Sequence, residues 1–98
     1  LNTFNLNIYI ISSLNRYLYK NNINLFNNLE NLIIDGSNLE EKNMLHYINI
    51  IIEFLKKIKV KNVYFIKYNE IFEYLFKSYY NYFSYLNDNK KNYKIYFI

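Results

Sequence analysis

The chain reads as an α/β fold built on a parallel sheet, and three observations predict it. Short runs rich in β-branched and aromatic residues recur at 31–35, 60–66 and 93–98. Between them lie two longer stretches whose apolar residues repeat every three to four positions, the period of an amphipathic helix. Strands alternating with helices at these spacings leave room for the crossovers that parallel pairing requires.

Residues 6–20 carry Leu6, Ile10, Leu14, Tyr17 and Leu18 on one helical face. Leu6, Ile8 and Ile10 also alternate as a strand would. The helix is the expectation taken, ended by the Asn21-Asn22 break. A second short helix with Leu25, Phe26 and Leu29 is expected to lead into the first strand, so that 1–30 forms a helical lead-in and 31–98 the domain proper. The strand at 31–35 runs into Asp35, the only Gly (Gly36), Ser37 and Asn38, a turn composition.

The next helix, 43–58, buries Met44, Tyr47, Ile48, Ile51, Leu55 and Ile58 and turns His46, Asn49, Glu53 and Lys56 outward. Glu40 and Glu41 stand ahead of its positive end, and Lys56, Lys57 and Lys59 at its negative end. Residues 60–66 form the second strand. Asn69 is placed to cap a helix over 70–86, with Phe72, Leu75, Phe76, Tyr79, Phe83 and Leu86 inward and Glu70, Glu73, Lys77 and Asn81 outward. A polar loop at 87–92 precedes the last strand. The chain opens on Leu1 and stops at Ile98 within an apolar run, and reads as a fragment of a longer chain.

Composition narrows the chemistry. At 98 residues there is one small domain at most. The absence of Cys removes disulfides, a thiolate nucleophile and zinc–thiolate sites. One Gly cannot build a phosphate-cradling loop. Ser37 sits in no nucleophile-elbow pattern. Net charge is +4, compatible with nucleic acid, but the single Arg (Arg16) is a poor basis for bidentate phosphate or guanine recognition. Residues with AT-rich codons dominate, so the thirteen Tyr reflect base composition as readily as function. Every apolar stretch is interrupted before about 18 residues, too short to span a bilayer.

The candidate site is the end of the first strand. An Asp there stands where α/β sheets gather ligands, and a carboxylate with a nearby amide suits a hard divalent cation. The same residues also make an ordinary turn: Asp35 as a local cap, Gly36 as the permissive turn residue, Ser37 and Asn38 bonding to neighbouring backbone. His46 and Asp88 read as solvated. Glu40 and Glu41 read as favouring the helix start, with metal approach as the alternative. Lys56, Lys57, Lys59 and Lys61 read as a solvated helix end, with phosphate contact as the alternative. The Phe72, Phe76, Tyr79 and Phe83 stripe reads as core.

The run Leu32-Ile33-Ile34-Asp35-Gly36-Ser37-Asn38-Leu39 resembles the opening strand of NYN domains, the PIN-like metal-dependent nucleases. Both the protein-only RNase P enzymes and the regnase-type CCCH-zinc-finger ribonucleases carry a similar turn. The second group is closer in its Asp-Gly-Ser-Asn wording, and the first in the distance from second to third strand. The matching parts are 31–38, 43–58, 62–67, 70–86 and 93–98.

This resemblance implies a PIN-like (Rossmann-like) α/β/α sandwich with a parallel sheet, present in its N-terminal half only. It implies that Asp35 holds Mg²⁺ or Mn²⁺ and that Asn38 shapes the same site. It also implies that the parent cleaves RNA endonucleolytically, with precursor tRNA 5′ maturation as one such activity, in an organelle (mitochondrion or plastid) or the nucleus. In the family the other acidic ligands lie in Asp-Asp and Asn-Asp turns after the third and fourth strands, and the sequence ends before either. Residues 1–98 alone are therefore expected to be inactive. The rival expectation is a non-catalytic α/β structural or interaction module of a larger organellar ribosomal or respiratory assembly.

Overall fold

Parallel strands expose unpaired N–H and C=O groups on both edges until a neighbour takes them up, and four segments of this chain do so. The computed structural model describes residues 2–21, 29–87 and 93–98. The elements are β1 (Thr3–Asn7), α1 (Ile11–Asn21), β2 (Leu29–Asp35), α2 (Met44–Lys57), β3 (Val60–Ile66), α3 (Glu70–Asn87) and β4 (Lys94–Phe97), with 3₁₀ turns at Ile8–Ile10 and Glu41–Asn43. All neighbours pair in parallel, in the order β1-β2-β3-β4. The α/β class and the parallel sheet are thus as the sequence predicts.

The N-terminal expectation needs correction. The helix predicted over 6–20 does not begin until the 3₁₀ turn at Ile8, and Thr3–Asn7 is a strand. Two forces set this boundary. The outer edge of β2 offers a ladder that β1 occupies, from Thr3↔Asn31 to Asn7↔Asp35. Asn7 stays extended (φ −74°, ψ 139°), and its side chain accepts the Tyr9 N–H at 2.9 Å, an N-cap that starts the helical path there. Leu29 opens β2 instead of closing a short helix, while Leu25 and Phe26 lie outside the described residues. Leu6, Ile8 and Ile11 join the same buried cluster as β2, α2, β3 and α3, so the start of the lead-in is built into the sheet and its core.

The layering also differs from a sandwich. Each connection passes to the next strand in the same direction. Right-handed crossovers then deliver every helix to the same side, and α1 packs on α2 and α2 on α3. Leu6, Leu32, Ile34, Val63 and Phe65 are buried under those helices. Phe65 is the hub, with ring centroids of Phe76, Phe97 and Phe72 at 4.8, 5.0 and 5.5 Å. The stripe read as core is core at Phe72 and Phe76. Among the described residues the fold therefore has two layers, and the other face of the sheet carries no helix.

Candidate functional site

Asp35 is the last residue of β2, an interior strand between β1 and β3, so its side chain leaves the sheet at the carboxyl edge. Its neighbours in register are Asn7 and Ile66. The ladder continues one step past it, where the Gly36 N–H donates to the Ile66 carbonyl at 2.9 Å. A Cβ on Gly36 would stand 3.4 Å from Tyr68 Cα and Cβ. A side chain there would thus meet the β3–α3 connection at ordinary van der Waals distance. The turn's left-handed residue is Asn38, at φ 64°, which corrects the expectation that Gly36 supplied the unusual conformation. Asn is the residue other than Gly that tolerates this region best.

Four hydrogen bonds hold the turn. The Leu39 N–H reaches the Gly36 carbonyl at 3.3 Å. The Ser37 N–H donates to Asp35 Oδ1 at 2.8 Å, and the Ser37 hydroxyl donates to the same oxygen. The Tyr9 hydroxyl donates to the Asn38 carbonyl at 2.6 Å. Tyr9 itself stands edge-on to Tyr47 of α2 at 5.1 Å, so the turn is braced from both adjoining helical segments.

The carboxyl of Asp35 is held below its ordinary range. The Ser37 hydroxyl is the main cause and the Ser37 N–H the next; partial burial opposes them, and the Lys67 charge assists. Asp35 is therefore ionised at neutral pH. Lys67, just past β3 at φ 52°, escaped the sequence reading. The only signal available for it was its position after an apolar strand.

The other predicted residues scatter. Glu40 pairs with Lys42 at 3.2 Å on the surface, and Glu41 begins a 3₁₀ turn. His46 is exposed, edge-on to Tyr47 at 5.3 Å. Asp88 lies outside the described residues. Lys56, Lys57, Lys59 and Lys61 stand at the end of α2 and the start of β3, which is the amino edge of the sheet. Six residue steps of β3 at ~3.3 Å each put that cluster about 20 Å from the Asp35 edge. Lys57 donates to Asn15 Oδ1 at 2.9 Å, and Lys61 lies 4.0 Å from Glu30. The cluster belongs to helix-end packing and not to the mouth beside Asp35.

Asp35 opens onto a second surface, the helix-free face. Register aligns Thr3, Asn31, Asn62 and Lys94 in one row, Asn5, Ile33, Tyr64 and Tyr96 in the next, then Asn7, Asp35 and Ile66. None of these residues is buried. The pair before the first row, Leu29 and Val60, is buried and marks where the open face ends. Asn31 donates to Thr3 Oγ1 at 3.3 Å, and Asn62 donates to Asn31 Oδ1 at 3.2 Å. The Tyr64 and Tyr96 rings stack at 5.1 Å and 17°.

As a cation site, the described residues supply one carboxylate and the exposed Asn38 beside it. No group of three or more His, Asp or Glu that could enclose a metal occurs among them. Mg²⁺ is commonly held through one or two carboxylates while keeping several waters, so Asp35 fits as one ligand. It does not complete a two-ion centre, and no hydrolytic step follows from these residues alone. No helix among the described residues is long and apolar enough to cross a membrane. No protein-family model, curated protein or solved structure matches the chain.

Proposed function

We propose that the chain is part of a PIN-like, metal-dependent endoribonuclease domain, in which Asp35 provides one carboxylate for Mg²⁺ or Mn²⁺ and Asn38 lines the same site. One observation supports this reading above others: an ionised Asp at the carboxyl end of an interior parallel strand, where ligands of open α/β sheets bind. The substrate class is RNA, with precursor tRNA 5′ maturation as the narrower form of the proposal. When bound, the cation would polarise a phosphodiester and activate water. Asp35 would anchor it, and the Ser37 bonds on Oδ1 would fix the carboxylate's orientation. Further carboxylates must come from outside the described residues.

The test is Mn²⁺ titration followed by paramagnetic broadening of backbone amides. Broadening centred on residues 35–38 and removed by Asp35→Asn is the expected result. Broadening centred elsewhere, or unaltered by Asp35→Asn, refutes the assignment. Metal-dependent RNA cleavage by the 98-residue chain is expected to be absent, since paired ions about 3.5–4 Å apart need several carboxylates.

A second reading, a non-catalytic interaction module within a larger assembly, is favoured by one different observation. Parallel sheets are almost always covered on both faces, and here one face carries no helix among the described residues.

A further inference from the structure

We infer that the outer edge of β4 is a self-association surface: two copies of the chain pair their β4 strands antiparallel about a two-fold axis and join their sheets into one. The inference rests on the edge alone and is independent of any metal at Asp35.

Two apolar rows cross the sheet on its helix side and reach this edge still apolar. Leu32 and Val63 are buried and lead to Ile95; Ile34 and Phe65 are buried and lead to Phe97. Ile95 and Phe97 are only half-buried. Beside them a groove of about 400 Å³ opens under α3, lined by Phe76, Tyr80, Ile95 and Phe97. The charges that also line it, Glu73 and Lys77, pair with each other at 2.8 Å.

The backbone names the kind of occupant. The Ile98 N–H donates to the Phe65 carbonyl at 3.0 Å, so Lys94, Tyr96 and Ile98 turn their N–H and C=O groups toward β3. Ile95 and Phe97, alternating with them, turn theirs outward. Among the described residues no strand lies beyond β4. An outward row of N–H and C=O groups is a template for another extended chain. β4 has no Pro and no bulge in its register, and its one charge, Lys94, stands on the open face; none of the usual protections of an edge is present.

The sequence of β4 complements itself. With Tyr96 opposite Tyr96 of the second copy, Ile95 falls opposite Phe97 and Phe97 opposite Ile95. Each such pair exchanges both of its backbone bonds, so every outward group is satisfied. A slip of two residues carries one of the pairs past the end of β4. On the helix side the register sets a β-branched residue against a ring, and on the open face a ring against a ring, the cross-strand pairs that stabilise sheets. Lys94 falls opposite Ile98, so no like charges meet. The two Lys94 residues stand four steps apart along the seam, about 13 Å, beyond a Debye length of about 8 Å. The contact is isologous and closes at two copies.

The experiment is sedimentation equilibrium of the 98-residue chain from micromolar to millimolar concentration, with amide hydrogen exchange over the same range. A monomer–dimer equilibrium is expected, with the Ile95 and Phe97 amides gaining protection as concentration rises. Ile95→Pro removes an outward N–H at a place where an edge strand tolerates Pro, and should abolish the dimer. Tyr96→Lys sets two ammonium groups opposite each other and should raise the dimer Kd about tenfold. Tyr96→Phe, which keeps the ring, should stay within about twofold. Tyr74→Ala, at a tyrosine 73% exposed on α3, should change nothing. Far-UV circular dichroism checks that each variant folds; if Ile95→Pro does not, Tyr96→Lys decides. Asp35→Asn should leave the dimer intact, so failure of the metal assignment and failure of the dimer are read separately.

The inference is overturned by a monomer at every concentration, by a dimer that neither Ile95→Pro nor Tyr96→Lys weakens, by oligomers that grow past two copies, or by Ile95 and Phe97 amides whose exchange ignores concentration. A monomer in which only an added peptide of unrelated sequence protects those amides would assign the edge to another chain and also overturn it.

Discussion

Asn38 is the position where structural and chemical roles can be separated by substitution. Its φ of 64° lies in the left-handed region, which costs an ordinary L residue about 1–2 kcal/mol. Gly escapes that cost and Asn tolerates it better than Ala does. Asn38→Ala should therefore destabilise the chain by about 1 kcal/mol, and for a domain this size about 1 kcal/mol moves the melting temperature by roughly 4–8 °C. Asn38→Gly should stay near wild type, since the backbone geometry is kept and the Tyr9 hydroxyl still finds the residue-38 carbonyl. Thermal unfolding by circular dichroism measures both. Under the proposed function the two variants share the loss of the side-chain amide, so Mn²⁺ broadening at 35–38 should weaken equally in both despite their different stabilities. Equal melting temperatures for Asn38→Ala and Asn38→Gly would refute the account of the turn. Undiminished broadening in Asn38→Gly would remove Asn38 from the site.

Two other variants probe the core and the carboxylate. Phe65→Ala removes a ring 1% exposed that touches three others. It should cost about 3–5 kcal/mol in urea unfolding, a large share of the roughly 5–15 kcal/mol that holds a small domain; a cost under about 1 kcal/mol would place Phe65 outside the core. Ser37→Ala removes the main cause of the lowered Asp35 pKa, so the carboxyl pKa, followed by carbon NMR, should rise toward its ordinary value. The sign follows from linkage. A depressed folded-state pKa contributes stability above the unfolded-state value and loses it as pH falls through the folded-state value. In Ser37→Ala the contribution shrinks and disappears at a higher pH than in wild type; an unchanged titration would show that Ser37 does not hold the carboxylate.

How much of this was legible in the sequence depends on where each signal resides. β2, α2, β3, α3 and β4 announce themselves through their own residues, because each packs enough apolar side chain on the core to show its period. β1 does not. Thr3-Phe4-Asn5-Leu6-Asn7 is three-fifths polar with one buried residue, Leu6. Its strand character is supplied by the edge of β2, a partner that begins more than twenty residues later. The helical spacing of Leu6, Ile10 and Leu14 carries no mark of that edge, and the cap at Asn7 shows only in the structure. In the turn, Asp35 stands at a strand end as expected, whereas Gly36, expected as the permissive turn residue, has no positive φ. The structure differs: the positive φ of the bend falls at Asn38, and Gly36 lies outside that region. The position of the lysine cluster was deducible. A helix joining parallel strands returns the chain to the amino edge, so cations at the end of α2 must stand opposite a residue at the end of β2.

The one-sided layering follows from β1 as well. Strands added in one direction with right-handed crossovers place every helix on one side. Because β1 fills the edge of β2 away from β3, the connection β1–α1–β2 continues in that same direction and adds no helix to the opposite side. Asp35 lies in a row of the open face and also ends an interior strand, so it occupies the corner where that face meets the carboxyl edge. With β1 elsewhere, Asp35 would end an edge strand and a crossover helix could occupy the face, and neither surface would remain. Thr3–Asn7, the least conspicuous element in the sequence, thus determines whether the carboxylate is interior and whether the aromatic pair is accessible.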